Sequence, residues 1–295
     1  MQKSADSQWT ILDLVKWTTS YFHSYQIDSP RLTVELLLAH VLGIERIDLY
    51  VRFDQPLTED ELAAFKILIK RRLRREPLAY ILGRKDFWDK TFVVDQRVLI
   101  PRPETEVLLE AALSRIPGDA AGSRKTILEL GTGSGALVVS LAAHRPGHLY
   151  YASDASLDAL DLARQNARFH EAADRIHFFA GTWLEPVSGR IAADLLISNP
   201  PYVVADEIAR LAPEISTYEP AFALDGGSDG LSAIQRIIES APACMKPGAS
   251  LLLEIGDGQA ERIQGILEQS PRLDWNRTIM DYAGCERVVE AVCRT

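Results

Sequence analysis

The sequence is poor in sulfur, with three cysteines and three methionines in 295 residues. Cys244, Cys285 and Cys293 are odd in number and form no Cys-x-x-Cys pair, so neither a disulfide framework nor a zinc site is expected. Reduced, mostly buried thiols and no bound metal are the expectation. No apolar run approaches the ~18 residues that span a bilayer. The opening MQKSADSQWT lacks the basic stretch and apolar core of a secretory leader. These two absences predict a soluble, cytoplasmic chain. Positive charge is in deficit: Lys and Arg number 32 against 41 Asp and Glu, a net charge of -9. No global attraction to nucleic acid or anionic membrane follows from such a balance, and any such binding must be local. Internal repeats and low-complexity segments are also missing. Apolar residues are abundant: 47% of the chain is hydrophobic, enough to bury a full core and to exclude disorder as the main theme.

Residues 9 to 82 carry helix-period apolar spacing, as in Leu32, Leu36, Leu37 and Val41 and again in Leu62, Phe65, Leu68, Ile69 and Leu73. Ser29-Pro30 reads as a helix start with serine as cap, and Thr58 with Glu61 reads as a capping box. A small helical bundle over 1–83 is the prediction. From Phe87 the pattern turns β-rich: Thr91–Val94 and Val98–Ile100, separated by Asp95-Gln96, predict a β-hairpin linker within 84–101. Across 102–295, short apolar runs alternate with helical stretches. The runs are Thr126–Leu130, Leu149–Ser153, Ile176–Ala180, Ala193–Ser198, Ser250–Glu254, Arg277–Met280 and Arg287–Val292. Alternation of this kind implies an α/β domain with a mainly parallel seven-stranded sheet covered on both faces. The last two runs are too close for a helical crossover and should pair antiparallel. A parallel sheet ending in an antiparallel pair is the layout of Rossmann-like methyltransferases.

The first of these strands runs into Gly131-Thr132-Gly133-Ser134-Gly135 and then into a helix from Ala136. Glycines at alternate positions let the backbone turn sharply and lie against a ligand. The second strand ends at Asp154, where a carboxylate can accept hydrogen bonds from both ribose hydroxyls. A dinucleotide site competes with this reading, but pyrophosphate loops favour Gly-x-Gly-x-x-Gly. Here the spacing is Gly-x-Gly-x-Gly with Glu129 just before it, and an acid there suits the cationic amino group of a methionine-derived cofactor better than a phosphate. Trp183, shortly after the third strand, can cover an adenine ring or simply fill the core.

The fourth strand delivers Asn199-Pro200-Pro201-Tyr202 at its carboxyl end, in the crevice where open α/β sheets bind ligands. The Asn199 side-chain oxygen and the Pro200 carbonyl can each accept one N–H of a planar NH₂ group. Pro200 and Pro201 supply rigidity and no backbone donor, and Tyr202 offers a ring for stacking. The same four residues can also be read as a plain turn after a strand; their place after a cofactor-type glycine loop favours the chemical reading.

Over nearly its whole length the chain resembles the bacterial N5-glutamine methyltransferases of translation release factors, the PrmC/HemK group. The matching segments include Glu76–Gly83, Phe87-Trp88, Leu99–Glu106, Leu128–Ala136, Ser198–Tyr202, Tyr218-Glu219-Pro220, Ala223–Gly227, Asp229–Leu231 and Leu253–Gly256. Asn-Pro-Pro-Tyr is shared with nucleic-acid amino-methyltransferases, whereas the Ile100–Glu106 linker and the Tyr218 loop are more specific. The resemblance implies S-adenosyl-L-methionine as cofactor and S-adenosyl-L-homocysteine as product. It implies cofactor contacts at Gly131, Thr132, Gly133, Ser134, Gly135, Asp154, Trp183 and Asn199. It assigns catalysis to Asn199, Pro200 and Tyr202, and acceptor binding to Asn199, Pro200, Pro201 and Tyr202. Phe87, Arg102 and Thr105 are weaker candidates for the same pocket. Class I release factors are the implied protein substrates, with no direct nucleic-acid or membrane partner and a monomer expected. Ala152-Ser153-Asp154 departs mildly from the family, which often has valine before the aspartate.

Lys66, Lys70, Arg71, Arg72, Arg74 and Arg75 crowd one helix end in an otherwise acidic chain. They read either as a solvated face favoured by the helix dipole or as a docking patch for an acidic surface of the release factor. The long connection from Val203 to Gly230 predicts a lid that shapes the acceptor pocket. Two rivals stay open at this level. A nucleic-acid amino-methyltransferase would need a basic groove or a target-recognition domain; a non-enzymatic cofactor-binding regulator would sit poorly with an intact Asn199–Tyr202.

Overall fold

The computed structural model describes residues 8–118, 124–185 and 190–294; the extreme N-terminal residues 1–7, read above for a leader, lie outside that range. The chain divides into two units, one of Met1–Gly83 with Pro213–Tyr218 and one of Arg84–Ala212 with Glu219–Thr295. Among the described residues no helix is long and apolar enough to cross a membrane.

The first unit is helical, built on Ile11–Ser24, Pro30–Leu42 and Glu59–Leu73, with short helices at Asp48–Val51 and Leu78–Leu82. Its core gathers Leu14, Phe22, Val34, Leu37, Leu38, Phe65 and Ile69. Thr58 and Glu61 close the expected capping box. One reading needs correction. Ser29 adopts φ 45°, and makes no side-chain cap bond; in the left-handed region it turns the chain while Pro30 opens the helix. The second helix forms over the predicted run and buries Val34, Leu37 and Leu38, while Leu32 at its start is exposed.

Half of the basic cluster is internal wiring. Arg72 is buried and pairs with Glu214 at 2.9 Å. Arg75 donates to the Gln26 and Tyr25 carbonyls, each at 3.0 Å, and reaches Glu214 at 3.4 Å. Arg71 is held by Glu76. Within this unit, then, Pro213–Tyr218 is fastened by the arginines that composition alone made a candidate patch, and Tyr218 adds a bond to the Arg74 carbonyl at 2.7 Å. Lys66, Lys70 and Arg74 stay exposed.

The second unit begins with an antiparallel hairpin of β1 (Arg84–Phe87) and β2 (Lys90–Val93). Its turn lies at Trp88-Asp89, earlier than expected, with Trp88 at φ 56°. Val98–Ile100 is not a strand: the Asp95 carboxylate takes the Arg97 amide and the Val98 amide returns to the Asp95 carbonyl, closing a turn there. The hairpin is part of this unit's core through Phe87 and Phe92. Asn166, fully buried, accepts from the Val93 amide at 2.9 Å and donates to the Val93 carbonyl at 3.0 Å and the Ser134 carbonyl at 2.8 Å. One carboxamide thus ties the hairpin, the helix Leu157–Phe169 and the glycine loop together.

Seven further strands follow: β3 (Thr126–Leu130), β4 (Leu149–Asp154), β5 (Ile176–Ala180), β6 (Ala193–Ser198), β7 (Met245–Glu254), β8 (Leu273–Met280) and β9 (Glu286–Cys293). They form one sheet in the order β5-β4-β3-β6-β7-β9-β8. The first five are parallel, and β9 runs antiparallel to both β7 and β8. Alternate residues feed opposite faces: Ile127 packs with the helices Thr105–Arg115 and Ala136–His144, Leu128 and Leu130 with Ser232–Ser240 and Ala260–Glu268. Both faces are covered, as a parallel sheet requires. Cys244 and Cys293 are buried and Cys285 half-buried, and none of the three forms a disulfide among the described residues.

Asn166→Leu should lower the free energy of unfolding by roughly 1–3 kcal/mol, the cost of stranding the polar backbone groups it serves; a denaturant midpoint equal to that of the unmodified chain would contradict the role given to this carboxamide.

Candidate active site

Strand register assembles the site. Leu130 lies opposite Ser153 on one side and Ser198 on the other, so Gly131 emerges between Asp154 and Asn199. Asp154 pairs with Ala180, which brings Trp183 alongside, and Ser198 pairs with Leu253, which sets Glu254 next to Asn199. The chain leaves β3 toward β4 and β5, then returns to β6 on the other side. The crevice at such a reversal is where open α/β sheets hold ligands.

Two adjoining cavities open there. The larger, of about 230 Å³, is lined by Gly131, Thr132, Gly133, Ser134, Asp154, Trp183 and Asn199, together with Glu129, Phe87, Arg102 and Thr105. The smaller, of about 40 Å³, is lined by Asn199, Pro200, Pro201 and Tyr202 with Arg102 and Leu99. Asn199 and Pro201 belong to both walls. All the sequence-derived residues come together here except Gly135, which lines neither cavity. Its φ is 79° and a Cβ would stand 3.1 Å from the Ala163 Cβ, so it serves the turn and the packing of the helix behind it.

Two carboxyls, Glu129 and Asp154, line the large cavity. Glu129 is buried and accepts from the Thr132 hydroxyl at 2.6 Å. Burial pushes its carboxyl up to about 8, against the Thr132 hydrogen bond and with help from the Asp154 charge. Asp154 takes the Gly133 amide on Oδ2 at 2.8 Å and the Ser156 amide on Oδ1 at 2.9 Å. Burial raises this carboxyl too, opposed by those backbone bonds. Each oxygen keeps capacity to accept a further hydroxyl. Trp183, at φ 51°, is half-buried and packs at the edge of the apolar cluster on that face.

On the other side the tetrapeptide is gripped from below. The Tyr202 carbonyl accepts from Gln259 Nε2 at 3.1 Å, and Gly256 N donates to Gln259 Oε1 at 2.9 Å. Gly226 and Gly230 pass so close that a Cβ would stand 2.8 Å from the Tyr202 Cα and 2.6 Å from its carbonyl oxygen respectively. This is what Asp225-Gly226-Gly227 does. The segment predicted as a lid shaping the acceptor pocket is folded into short pieces, Ala205–Ile208, Pro213–Tyr218 and Ala221–Ala223, with Val203 bridging to Asp225, and its Ala223 and Leu224 line the smaller cavity. Tyr202 donates to Glu254 Oε1 at 3.3 Å, and Asn199 Nδ2 donates to Thr105 Oγ1 at 3.1 Å. Burial pushes Glu254 up to about 7, while the Thr105 hydroxyl, Arg287 and Tyr202 draw it back and Glu104 adds to the rise.

Pattern reading assigned no role to Glu219 or Glu254. Glu219 is buried and takes the Ile100 amide at 3.1 Å and the Arg102 guanidinium at 2.6 Å, locking the Pro101-Arg102-Pro103 corner over the cavity. Its sign in the sequence is an acid set between Tyr218 and Pro220; the partner lies more than a hundred residues away and no local pattern names it.

Residues 13–83 match the family model described as the PrmC N-terminal domain, and residues 104–216 match the methyltransferase small domain. The release factor glutamine methyltransferase of Geobacter sulfurreducens is 43% identical over 281 residues, covering 95% of this chain and 96% of the relative. That of Chlorobaculum tepidum is 42% identical over 89% and 90% of the two chains, and that of Rhodopirellula baltica 35% identical over 98% of both. Among solved structures, the hMettl16 catalytic domain in complex with a MAT2A 3'UTR hairpin superposes with a TM-score of 0.54 at 15% identity, over 77% of this chain and 81% of that one. That likeness is one of fold: a Rossmann-like class I methyltransferase domain.

Gly226→Ala should destabilise the chain by roughly 1–3 kcal/mol through overpacking under Tyr202; unchanged thermal unfolding would mean that the backbone there yields freely.

Proposed function

The chain belongs to the release factor glutamine methyltransferase family, and from that premise we propose how its site works: it transfers a methyl group from S-adenosyl-L-methionine to the side-chain amide nitrogen of the glutamine in the Gly-Gly-Gln motif of class I release factors. The observation that carries the reading is the wall shared by the two cavities, where Asn199 and Pro201 face a cofactor-sized space on one side and a small acceptor-sized one on the other.

The residues fit the cofactor's chemistry. Gly131 and Gly133 carry positive φ and leave no side chain in the way. Glu129 offers a carboxyl to a cationic amino group, Asp154 offers acceptor capacity to ribose hydroxyls, and Trp183 offers an apolar flank to adenine. The bound cofactor supplies an electrophilic methyl group on a sulfonium. Everything else falls to the chain.

An amide nitrogen is a poor nucleophile because its lone pair is delocalised, so it must be posed. Asn199 Oδ1 and the Pro200 carbonyl accept the two amide hydrogens and aim the lone pair; Pro200 and Pro201 contribute no competing N–H; the Tyr202 ring carries the amide plane. Each neutral hydrogen bond contributes about 0.5–1.5 kcal/mol net, whereas orientation can contribute roughly 7–11 kcal/mol, so positioning dominates. No strong base is required, since the nitrogen becomes acidic once methylated and its proton leaves to water. The helical unit at 1–83 serves substrate recognition in this reading, and the chain acts in the cytoplasm as a monomer. A nucleic-acid amino group is the rival acceptor; the net charge of -9 argues against it.

Incubation with labelled cofactor and intact release factor, DNA or RNA, followed by mass spectrometry, should place the label on the release-factor glutamine; label in nucleic acid alone would overturn the reading. Asn199→Ala should lose on the order of 100-fold or more in turnover while still binding cofactor, because a misplaced reactant costs about that much. A second check is protonic. Burial keeps much of Glu129 protonated at pH 7, and a neighbouring cation favours the ionised form. Cofactor binding should therefore release a proton at pH 7, seen by calorimetry in buffers of different ionisation enthalpy. That release should disappear in Glu129→Gln, and proton uptake would contradict the assignment.

A further inference from the structure

The acceptor side of the site rests on a carboxyl to which the chemistry above gives no role. Glu254 ends β7, is fully buried, and stands beside Asn199 through the pairing of Leu253 with Ser198. Its Oε1 accepts the Tyr202 hydroxyl at 3.3 Å. Its Oε2 closes no hydrogen bond of good geometry among the described residues, a costly condition for a buried carboxyl. The Thr105 hydroxyl lies beside that carboxyl, near enough to favour its ionised form, and Thr105 Oγ1 is also the partner of Asn199 Nδ2 at 3.1 Å. Asn199 and Tyr202, which line the acceptor cavity, are thus joined behind it by the buried Thr105 and Glu254 in one chain of polar contacts.

The order of donors in that chain matters. An asparagine amide has an acceptor on one side and donors on the other, and its partners decide which way it faces. A hydroxyl alone decides nothing, because it can donate to Oδ1 as readily as it accepts from Nδ2. A carboxylate beside the hydroxyl breaks the tie. In its ionised form, which the neighbouring Thr105 hydroxyl favours, Glu254 is an acceptor only, so it draws the Thr105 proton to itself and leaves the oxygen's lone pair for Asn199 Nδ2. Oδ1 then faces the acceptor, where it must receive an N–H. With the amide reversed, two N–H groups would face each other and the pose would be lost.

We propose that Glu254 is a positioning residue: through Thr105 it sets the sense in which the Asn199 amide faces the acceptor, and through the Tyr202 hydroxyl it holds the ring on which the acceptor lies. The inference rests on the glutamine-methylation reading and adds to it a group that never touches substrate.

The test uses the full chain and intact release factor, with Glu254→Gln, Thr105→Val, Thr105→Ser and the Thr105→Val, Glu254→Gln pair. Turnover, cofactor affinity, thermal unfolding and the side-chain ¹⁵N–¹H resonances of Asn199 are measured, the last assigned by their loss in Asn199→Ala. Glu254→Gln and Thr105→Val should each lower kcat roughly 10- to 100-fold with cofactor affinity within about twofold of the unmodified chain. Thr105→Ser, which keeps the hydroxyl, should retain most of the turnover. Because the two residues act in series, the pair should be no slower than the slower single variant. The Asn199 resonances should move in Glu254→Gln. Turnover near that of the unmodified chain in a folded Glu254→Gln, multiplicative losses in the pair, or unmoved Asn199 resonances would each overturn the relay. If the unmodified chain leaves the release factor unlabelled, the functional reading fails instead, and the resonances still judge the relay.

Discussion

Everything in the second unit depends on the reversal of strand order between β3 and β6. The chain fills the sheet outward through β4 and β5, then crosses back to lay β6 on the free side of β3. Helices on opposite faces diverge from that point, and a crevice opens at the carboxyl ends of the strands. With Leu130 level with Ser153 and Ser198, the residues that follow each strand meet at one height. A slip of one residue in any of these pairings would turn side chains to the opposite face. The apolar alternation of β3, with Ile127 to one core and Leu128 and Leu130 to the other, holds the register and hence the geometry of the site.

The site is also a place where carboxyl groups are kept in a dry environment. Glu129, Asp154, Glu219 and Glu254 are all buried, and burial disfavours the charged forms of Glu129, Asp154 and Glu254. Each has different partners: a hydroxyl for Glu129, backbone amides for Asp154, an amide and a guanidinium for Glu219, and the Thr105 and Tyr202 hydroxyls for Glu254. The four carboxyls face different tasks for that reason. Asp154 is bound by the loop it helps to shape, Glu219 fastens the corner that covers the cavity, and Glu129 and Glu254 are pushed up toward neutrality by burial, so that a neighbouring cation or hydroxyl shifts their charge.

Much of this was legible in advance. The seven strands of the main sheet, the antiparallel ending and the meeting of glycine loop, Asp154 and Asn199 follow from runs of β-branched residues, from short spacing and from the rule that strand ends carry ligands. The misreadings share a cause. Val98–Ile100 has the composition of a strand, yet Asp95 turns the chain there and Val98 is buried within that turn. Arg72 has the composition of a surface cation, yet it is buried against Glu214. Local composition records what a residue prefers, and in these places a distant partner outweighed the preference.

The sequence by itself determined the alternation of strand and helix, the glycines that keep the loop beside the cofactor space open, and the chemical types at Asn199–Tyr202, because each depends on neighbours a few residues away. Only the tertiary structure decided which groups stand behind them. Asn166 joins Val93 to Ser134, Glu219 meets Arg102, and Glu254 comes to Thr105 and Tyr202. Such contacts join residues dozens to more than a hundred positions apart. Burial makes each polar group seek a partner, but which partner it finds is set by sheet order and register, quantities that no local stretch of sequence contains.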